Sequence, residues 1–490
     1  MKMTRRSLIA ALGASAGAAT LAGHGLAAVP GMPDWQVGYA NAPAGGFAPQ
    51  AMDLISGHLP EGFTGTLYRN GPGWFRYGEE TAGHWFDGDG MVQRIVLGDG
   101  KAVHSGQFVA TTKHRLEQAA QRFLAPGFGT VGDESYPVGS ADDANAANTS
   151  VLMVDGRLYA LWEAGSAMEL DPATLETLGP RTWRDDLKGM PFLAHPKVEP
   201  DGTVWNLAVN GPHVGIYKIN PAGGVEGFDL VNLGLAPYLH DWAITERHLI
   251  LMVQPWLMDR FIPPFVNALE WRPEEGLKLL IIDKDDMTRR RWAEVEGRAF
   301  FHTGAAWEDA SGAIHVDAAL YPEPFLGSGG GTNLMEGRYE PSEDTAHGEL
   351  SRIIVEADGR ARIEATGIGG EFPVVHPDFH GLDRRLTALV GGHSPGRPGA
   401  RRISLMDWKR GEASHFDYGA GRIPEEHLIV AKPGGAGEGD AWLVGTVLNI
   451  ASGRSEVHVF DIADISAGPV ASFAARYAWP LGFHGTFVQA

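Results

Sequence analysis

The sequence contains no cysteine among its 490 residues. This absence excludes disulfide bonds, iron–sulfur clusters, thiolate-bound zinc or haem, and cysteine nucleophiles. A metal ion in this protein must therefore be bound by histidine, aspartate or glutamate.

Positive charge is also scarce, because 40 lysine and arginine residues stand against 60 aspartate and glutamate residues, for a formal net charge of −20. A nucleic-acid-binding surface would need a dense basic patch to overcome this negative field. The sequence offers only the triplet Arg289, Arg290 and Arg291, which is typical of a solvated turn. We therefore expect no nucleic-acid partner.

No apolar run is long enough to span a bilayer as a helix. The first residues instead have the pattern of an export signal, with twin arginines in TRRSLI (residues 4–9), an alanine- and glycine-rich stretch to residue 19, and small residues at 25–28. This pattern predicts a twin-arginine signal over residues 1–28 and a periplasmic mature protein over residues 29–490. An ordinary secretory signal with a chance arginine pair is the alternative.

Helical periodicity is scarce beyond residue 50, and residues 114–123 are the best helical candidate. Short runs rich in β-branched and aromatic residues alternate with Gly, Pro, Asp and Asn turns. No linker divides this region, so we expect one all-β domain, and its length favours a β-propeller over a two-sheet sandwich. No repeat signature gives the number of blades. Strands are expected at residues 203–209, 248–253, 277–282, 313–320, 352–355, 402–406, 427–431, 441–448 and 456–460.

Four of the 19 histidines stand at the edges of strand-like runs, beside bulky or helix-breaking residues: His195, His240, His302 and His484. They are separated by 45, 62 and 182 residues, which is the scale of one blade or of several. Because the innermost strand of each propeller blade lies beside the axis, such distant residues can meet at one metal ion. Imidazole suits zinc, copper, iron or nickel. Taken singly, each position is more typical of a packed core histidine.

Metal-bound histidines usually donate their second N–H group to a carboxylate, a backbone carbonyl or water. Three glutamates in apolar settings are candidates for this role: Glu163, Glu371 and Glu426. The sequence does not pair them with particular histidines, and a surface position is the alternative for each.

Several motifs, in order from residue 50 to the end, are similar to those of the carotenoid cleavage oxygenases. This family includes the retinoid isomerase of the retinal pigment epithelium and the lignostilbene dioxygenases. The motifs are LPEGFTGTLYRNGPG (59–73), HWFDGDGM (84–91), NTS (148–150), LWEAG (161–165), AHP (194–196), HDWAIT (240–245), FH (301–302), EFP (371–373) and GFHG (482–485).

The resemblance implies a seven-bladed β-propeller, capped by a dome of loops and short helices over an axial non-haem Fe(II). It further implies that His195, His240, His302 and His484 bind the iron and that Glu163, Glu371 and Glu426 support them. Thr149 matches the family's threonine beside the vacant coordination position. The final strand, ending at His484, is expected to close the ring against an early strand. Two features depart from the family pattern: the segment after His302 lacks a polar histidine or asparagine, and Glu426 lies in a loosely matching stretch.

The implied activity is cleavage of a conjugated C=C bond by O₂ into two carbonyl products. Trp162, Phe301 and Phe483 flank proposed site residues and are candidates for the substrate lining, although core packing explains each equally well. Lignostilbene-cleaving members commonly carry a lysine just before the supporting glutamate, where this chain has Trp162. We therefore favour a carotenoid or apocarotenoid over a phenolic stilbene.

The alternatives are stilbene cleavage, isomerisation without oxygen incorporation, and a non-catalytic periplasmic propeller that binds an apolar ligand around a structural metal.

The apolar residues 255–258 and 261–266 are either a membrane-contacting patch at a tunnel mouth or a loop buried under the dome.

Overall fold

The structure is a computed structural model that describes residues 26, 32–339, 348–392, 394 and 396–490. The expected export signal lies outside these residues except for Leu26. Within the described residues, none of the helices is long and apolar enough to cross a membrane.

The described chain is built almost entirely from short β-strands, as the turn-rich sequence predicts. In chain order, the strands up to residue 232 are β1 Phe47–Ala51, β2 Asp53–Gly57, β3 Gly65–Trp74, β4 Arg76–Tyr77, β5 Glu80–Thr81, β6 Asp89–Gly98, β7 Lys101–Phe108, β8 Ser150–Val154, β9 Arg157–Leu161, β10 Met168–Leu170, β11 Thr177–Pro180, β12 Lys197–Val198, β13 Val204–Asn210, β14 His213–Ile219 and β15 Val225–Asn232. The strands up to residue 369 are β16 Ala243–Ile244, β17 His248–Val253, β18 Trp256–Met258, β19 Leu269–Trp271, β20 Leu277–Asp283, β21 Arg290–Val295, β22 Ala299–Glu308, β23 Ile314–Tyr321, β24 Glu349–Val355 and β25 Ala361–Gly369. The remaining strands are β26 Glu371–Val374, β27 Leu386–Gly391, β28 Arg402–Asp407, β29 Glu412–Asp417, β30 Arg422–Ala431, β31 Ala441–Asn449, β32 Arg454–Asp461, β33 Ala471–Ala474 and β34 Gly485–Gln489.

Thirty of these strands form seven antiparallel blades, so the expected seven-bladed propeller is confirmed. The other four form two separate pairs, β4 with β5 and β18 with β19. From the outer edge to the axis, blade 1 has the order β1-β7-β6-β3-β34 and blade 2 the order β11-β10-β9-β8. In the same direction, blades 3, 4, 5 and 6 have the orders β15-β14-β13-β12, β21-β20-β17-β16, β25-β24-β23-β22 and β29-β28-β27-β26. Blade 7 has the order β2-β33-β32-β31-β30. Neighbouring inner strands contact one another around most of the ring.

The two ends of the chain close the ring by exchange between blades 1 and 7. The last strand β34 pairs with β3 in blade 1, and the early strand β2 pairs with β33 in blade 7. The expected closure is therefore present, but the closing strand begins at Gly485. The expectation that this strand ends at His484 was wrong, because His484 lies in the irregular segment just before the strand.

The hydrophobic core lies between the faces of adjacent blades. One cluster joins blades 4 and 5 through Ile250 and Val316, and another joins blades 3 and 4 through Leu207 and Leu251. Burying a large aliphatic side chain contributes roughly 1.5–3 kcal/mol. Many such contacts hold the inner strands in fixed positions at the axis.

Loops and short helices cover one end of the axis, as the family resemblance implies. The main connection, between β7 and β8, carries helix α1, Thr112–Ala120, and a second helix α2 spans Gly331–Met335. The side chain of Thr111 caps α1 by accepting the N–H of His114. Short 3₁₀ helices occur at Asp34–Tyr39, Trp85–Asp87, Ala141–Asp143, Asp185–Leu187, Phe265–Ala268, Pro273–Glu275, Pro377–Phe379 and Ile462–Ala467, and Leu326–Gly330 forms a wider turn before α2.

Candidate metal centre

Each of the seven blades supplies one of the residues that the sequence suggests for a metal site. Four blades supply a histidine and three supply a glutamate, at or near the axial end of the blade. The residues and the strands that they adjoin are His195 (β12), His240 (β16), His302 (β22), His484 (β34), Glu163 (β9), Glu371 (β26) and Glu426 (β30).

The four imidazole rings converge on one point of the axis. The Nε2 atom of His240 lies 3.1 Å from that of His195 and 3.3 Å from that of His302. The Nε2 atoms of His302 and His484 are 3.0 Å apart. Nitrogen atoms about 2.1 Å from one metal ion lie about 3.0 Å apart at right angles and about 3.4 Å apart in a tetrahedron. The observed spacings therefore fit ligands of a single ion, with the ligand atoms of His195, His240 and His302 all within 4.8 Å of one another and His484 beside His302.

Three of the four rings are backed by carboxylates on the side away from the axis. Each of these rings turns its Nδ1 atom toward a glutamate oxygen. The pairs are Glu163 Oε1 with His240, Glu371 Oε2 with His302 at 2.5 Å, and Glu426 Oε1 with His484 at 2.8 Å.

These carboxylates determine which nitrogen carries the hydrogen. A carboxylate only accepts hydrogen bonds, so the hydrogen lies on Nδ1 of His240, His302 and His484. In the neutral rings the Nε2 atoms then carry lone pairs, and these lone pairs face one another at 3.0–3.3 Å. Such an arrangement is repulsive by itself and becomes favourable around a cation. The donor set fits a borderline divalent metal ion without thiolate ligands.

Burial favours the neutral, metal-binding form of His195 and His484. Burial, with the neighbouring histidines, holds the pKa of His195 well below its usual value, and burial lowers the pKa of His484 to about 4 although Glu426 opposes this change. Burial also acts to lower the pKa of His302, but the carboxylates of Glu371, Asp241 and Glu426 together outweigh it and the pKa is raised.

Two tyrosines that the sequence analysis did not identify hold the supporting carboxylates. The hydroxyl of Tyr238 donates to Glu163 Oε1 at 3.0 Å, and that of Tyr321 donates to Glu371 Oε1 at 3.0 Å. Burial and the adjacent carboxylates raise the pKa of both phenols well above the usual value, so both remain donors. Tyr238 could have been found from sequence, because it stands two residues before His240.

Arg69 supports the third carboxylate at the point where the ring closes. Its guanidinium lies 3.5 Å from Glu426 Oε2 and donates to the carbonyls of Glu426 at 3.0 Å and Phe483 at 2.9 Å. Although burial opposes it, the charges of His484 and Arg69 lower the pKa of Glu426. Although the sequence around Glu426 matches the family motifs only loosely, the Glu426 carboxylate lies beside His484, as the resemblance implies.

Thr149 lies at the edge of the site, where its carbonyl accepts the N–H of His484 at 3.3 Å. Its hydroxyl donates to Asn148 Oδ1 at 3.1 Å, and the Asn148 amide is fixed because its NH₂ group donates to the carbonyls of Phe86 and Gly88. With its hydrogen committed to Asn148, the Thr149 hydroxyl has no further hydrogen to donate into the site.

Phe372 is held in a strained conformation against the site. Its φ of 53° lies in the left-handed region, which costs a non-glycine residue about 1–3 kcal/mol. Its ring stacks on His302 with centroids 4.8 Å apart, and its N–H donates to Glu371 Oε2 at 2.7 Å. The strained backbone thus contacts both a histidine and its supporting carboxylate.

A cavity of about 740 Å³ extends from the histidines to the surface. Trp162, Phe301 and Phe483 all line it, and Phe301 and Phe483 also pack against other aromatic rings. Further aromatic residues that the sequence did not suggest as substrate lining line the same cavity: Trp85, Phe86, Phe128 and Tyr136. Phe265, from the apolar run 261–266, lines it as well.

The apolar residues 255–266 divide into two parts. Trp256 and Leu257 are buried, which fits a packed segment under the dome. Phe261 is 61% exposed and Ile262 is 36% exposed, and Phe261 lines the cavity at its open end. Within the predicted patch, large exposed apolar side chains are thus found only in the second half.

The site can bind one metal ion at the closed end of an apolar, mainly aromatic chamber. Such a chamber can hold an elongated apolar molecule next to the ion and exclude water from it.

A family model described as "retinal pigment epithelial membrane protein" matches residues 42–489. Among curated proteins, the chain is 27% identical to the apocarotenoid-15,15'-oxygenase of Synechocystis sp., with 93% of this chain and 96% of that protein covered. It is 25% identical to the isoeugenol monooxygenase of Pseudomonas nitroreducens, with 89% of this chain and 94% of that protein covered.

Among solved structures, the chain is similar to the cobalt-substituted apocarotenoid oxygenase of Synechocystis. The TM-score is 0.83 at 25% identity, with 93% of this chain and 98% of that chain covered.

Proposed function

Because this chain belongs to the retinal pigment epithelial membrane protein family, that of the carotenoid cleavage oxygenases, we propose that it is a non-haem Fe(II) dioxygenase of carotenoids or apocarotenoids. It cleaves one conjugated C=C bond with one molecule of O₂. Both oxygen atoms enter the products, so that R–CH=CH–R′ and O₂ give R–CHO and R′–CHO.

The observation that carries this proposal is the convergence of four imidazole Nε2 atoms at the end of an apolar cavity. His195, His240, His302 and His484 would hold Fe(II), with Glu163, Glu371 and Glu426 fixing the orientation of three rings. Four neutral ligands leave the positive charge of the ion to be balanced by these carboxylates. Fe(II) bound there would supply the redox chemistry that lets O₂ react with a C=C bond.

The residues of the chain bind and orient the polyene. The aromatic walls at Trp162, Phe301 and Phe483 hold the conjugated chain beside the histidines and exclude water. The hydroxyl of Thr149 donates its only hydrogen to Asn148. Toward the cavity, the hydroxyl oxygen can therefore only accept hydrogen bonds.

A carotenoid-type substrate is favoured over a phenol by the charges in the cavity wall. Lys113 is the one lysine or arginine among the described lining residues, and its ammonium already pairs with Asp89 at 2.7 Å and Glu117 at 2.8 Å. No free cation is therefore present in the described wall to meet a phenolate. The cavity volume also suits a long molecule.

Cleavage of a phenolic substrate is the second candidate, and the similarity to an isoeugenol monooxygenase favours it. Isomerisation without oxygen uptake and simple ligand binding are the remaining alternatives. An oxygen electrode, combined with product analysis on a panel of apocarotenals, hydroxystilbenes and isoeugenol, separates all four. We expect one O₂ consumed per apocarotenal cleaved and little turnover of the phenols. Turnover of the phenols alone would reverse the substrate assignment, and substrate loss without O₂ uptake would indicate an isomerase.

Metal analysis of His240→Ala and His484→Ala tests the iron assignment. Each variant loses one of four ligands, so we expect iron retention to be lost in both while the wild type holds about one iron per chain. Near-stoichiometric iron in both variants would contradict the assignment.

The proposal includes a periplasmic location and contact with a membrane surface during substrate uptake. The twin arginines at positions 5 and 6 support the first point, and the exposed apolar residues Val131, Val138, Phe261 and Ile262 near the cavity support the second. Fusion of residues 1–28 to a reporter should give periplasmic signal that is lost when Arg5 and Arg6 are both changed to lysine.

Co-sedimentation of the protein with lipid vesicles should fall in Phe261→Ser. An unchanged result would limit the exposed apolar residues to the cavity rim, without membrane contact.

A further inference from the structure

Three residues that each stand within two positions of a histidine of the metal centre form one buried polar cluster. They are Lys197, Asp241 and Thr303, which follow His195, His240 and His302, respectively. We call this cluster the axial hub. Its members come from blades 3, 4 and 5, and all three are buried.

Asp241 is the centre of the axial hub. Its Oδ1 atom accepts from Lys197 Nζ at 2.6 Å and from the backbone N–H of Trp242 at 2.7 Å. Its Oδ2 atom accepts from the backbone N–H of Thr303 at 2.7 Å and from the Thr303 hydroxyl at 2.8 Å, and this hydroxyl shares its hydrogen with the carbonyl of Trp242 at 2.9 Å. One carboxylate thus joins the backbone of blade 4 to that of blade 5 and to a side chain of blade 3.

Trp242 adds a second link between blades 3 and 4. Its indole N–H donates to the carbonyl of His195 at 2.9 Å. The peptide units of His195, His240 and His302 are therefore all tied, directly or through the adjacent residue, to the axial hub. Each hub residue is close enough along the chain that its displacement moves the neighbouring histidine.

We propose that the axial hub positions His195, His240 and His302 for metal binding, with Lys197, Asp241 and Thr303 as positioning residues. This inference rests on the metal site of the proposed function. The hub lies where the three blades meet, and a chain without it would hold the three rings only through their separate sheets.

The chemistry of the hub suits this role. Lys197 balances the charge of Asp241, so the hub adds little net charge near the cation. Four hydrogen bonds to one carboxylate also fix its position more strictly than a single ion pair does. By contrast, Glu163 and Glu371 act on single rings. The hub therefore sets the spacing between histidines, whereas the supporting glutamates set the rotation of individual rings.

The test is a titration of metal-free protein with Co(II), followed by its visible absorption bands. Lys197→Met removes the counter-ion of Asp241, and we expect Co(II) affinity to fall by about tenfold or more, with shifted bands. Thr303→Val removes one hydroxyl without changing the size of the side chain, and it should weaken binding to a smaller extent. Thr303→Ser restores the hydroxyl and should return affinity and bands toward those of the wild type.

Arg384→Met is the matched control. Arg384 and Asp317 form a buried ion pair at 2.5 Å, and no bond from Arg384 reaches a hub residue within the described structure. The control should lose stability to urea, as Lys197→Met does, but keep the Co(II) affinity and bands of the wild type. If Lys197→Met does not fold, the Thr303 pair alone decides the question.

The results separate the two proposals. Wild-type affinity and bands in Lys197→Met and Thr303→Val would overturn the axial hub while leaving the metal site intact. An equal loss of Co(II) binding in Arg384→Met would also overturn it, because the loss would then follow general stability. A wild-type protein that binds no Co(II) would overturn the metal site and the hub together.

Discussion

At the scale of single residues, the centre depends on carboxylates that fix the hydrogen on Nδ1 of the adjacent histidines. Glu371 shows this most clearly, because one of its oxygens accepts from His302 and from the N–H of Phe372, while the other accepts from Tyr321. All its partners are donors, which matches the acceptor oxygens of a carboxylate.

Glu371→Gln keeps the shape of the side chain but removes its charge and places an NH₂ group among donors. We expect the affinity for iron or Co(II) to fall by about 10- to 100-fold, the usual cost of losing an outer partner of a metal-bound histidine. Equilibrium metal titration of the variant measures this effect. Tyr321→Phe, which removes only one neutral donor, is the control and should lose less. Equal affinity in Glu371→Gln and the wild type would show that His302 does not need a charged partner.

A histidine away from the metal centre predicts how the free energy of unfolding depends on pH. His104 is fully buried, contacts the hydroxyl of Tyr477 and the amide of Gln93, and stacks on Trp479. Burial lowers its pKa to about 3. Between the ordinary value of about 6.5 and this value, the unfolded chain binds one proton more than the folded chain.

The contribution of His104 to stability is therefore complete above pH 6.5 and falls as the pH is lowered toward 3. The loss is about 1.4 kcal/mol per pH unit. Urea denaturation of metal-free protein between pH 6 and 4 should show a steeper loss for the wild type than for His104→Gln, since other acid-sensitive groups are the same in both. Parallel pH profiles would contradict the burial of a neutral imidazole.

At the scale of elements, the metal centre is coupled to closure of the ring. His484 directly precedes the closing strand β34, and the backbone N–H of Gly485, the first residue of that strand, donates to Glu426 Oε2 at 2.8 Å. Leu67 lies in β3 opposite Phe487 of β34 and is fully buried. Loosening this strand pair should therefore displace His484.

Leu67→Ala tests this coupling against Leu279→Ala, a fully buried leucine in blade 4. Each change should reduce the free energy of unfolding by about 2–5 kcal/mol. Only Leu67→Ala should also weaken metal binding, because only that site adjoins the closing strand. Metal titration below the unfolding temperature, alongside urea denaturation, measures both effects. Equal metal affinity in the two variants would separate ring closure from the metal centre.

Element positions were largely predictable where apolar runs and turn residues alternate. The expected strand at residues 248–253 is found as β17, His248–Val253, and the expected helix at 114–123 begins two residues earlier and ends at Ala120. The strand expected from residue 427 begins at Arg422 instead. Pro424 made a strand start before residue 427 hard to predict, because proline is unusual inside a strand. In the structure, the pairing of β30 with β31 changes register between Pro424 and His427, and this irregularity accommodates the proline.

The histidines and their glutamates could be chosen from the motifs, but their pairing could not. Glu163 comes from blade 2 and meets His240 of blade 4, and Glu426 comes from blade 7 and meets His484 at the entrance to blade 1. Such pairs depend on how the blades are arranged around the axis, and local sequence patterns carry no information on that arrangement. Arg69 and Tyr321 were missed for the same reason.

At the scale of the whole molecule, a closed ring brings distant parts of the chain to one point. Every blade contributes one histidine or glutamate to the centre, and the loops between blades build the aromatic chamber above it. The absence of cysteine fits this arrangement, because every proposed ligand is an imidazole. Packing between blades supplies the rigidity that the ligand spacing requires.

X-ray absorption spectroscopy at the iron edge of the loaded wild-type protein tests the central claim most directly. The structure predicts a first shell that contains four imidazole nitrogens at about 2.1 Å, with the outer scattering typical of imidazole rings. The shell should lose one imidazole in His484→Ala if that variant is forced to bind iron at high concentration. A wild-type shell dominated by carboxylate or water oxygens, with fewer than three imidazoles, would contradict the claim that the four histidines hold one metal ion on the propeller axis.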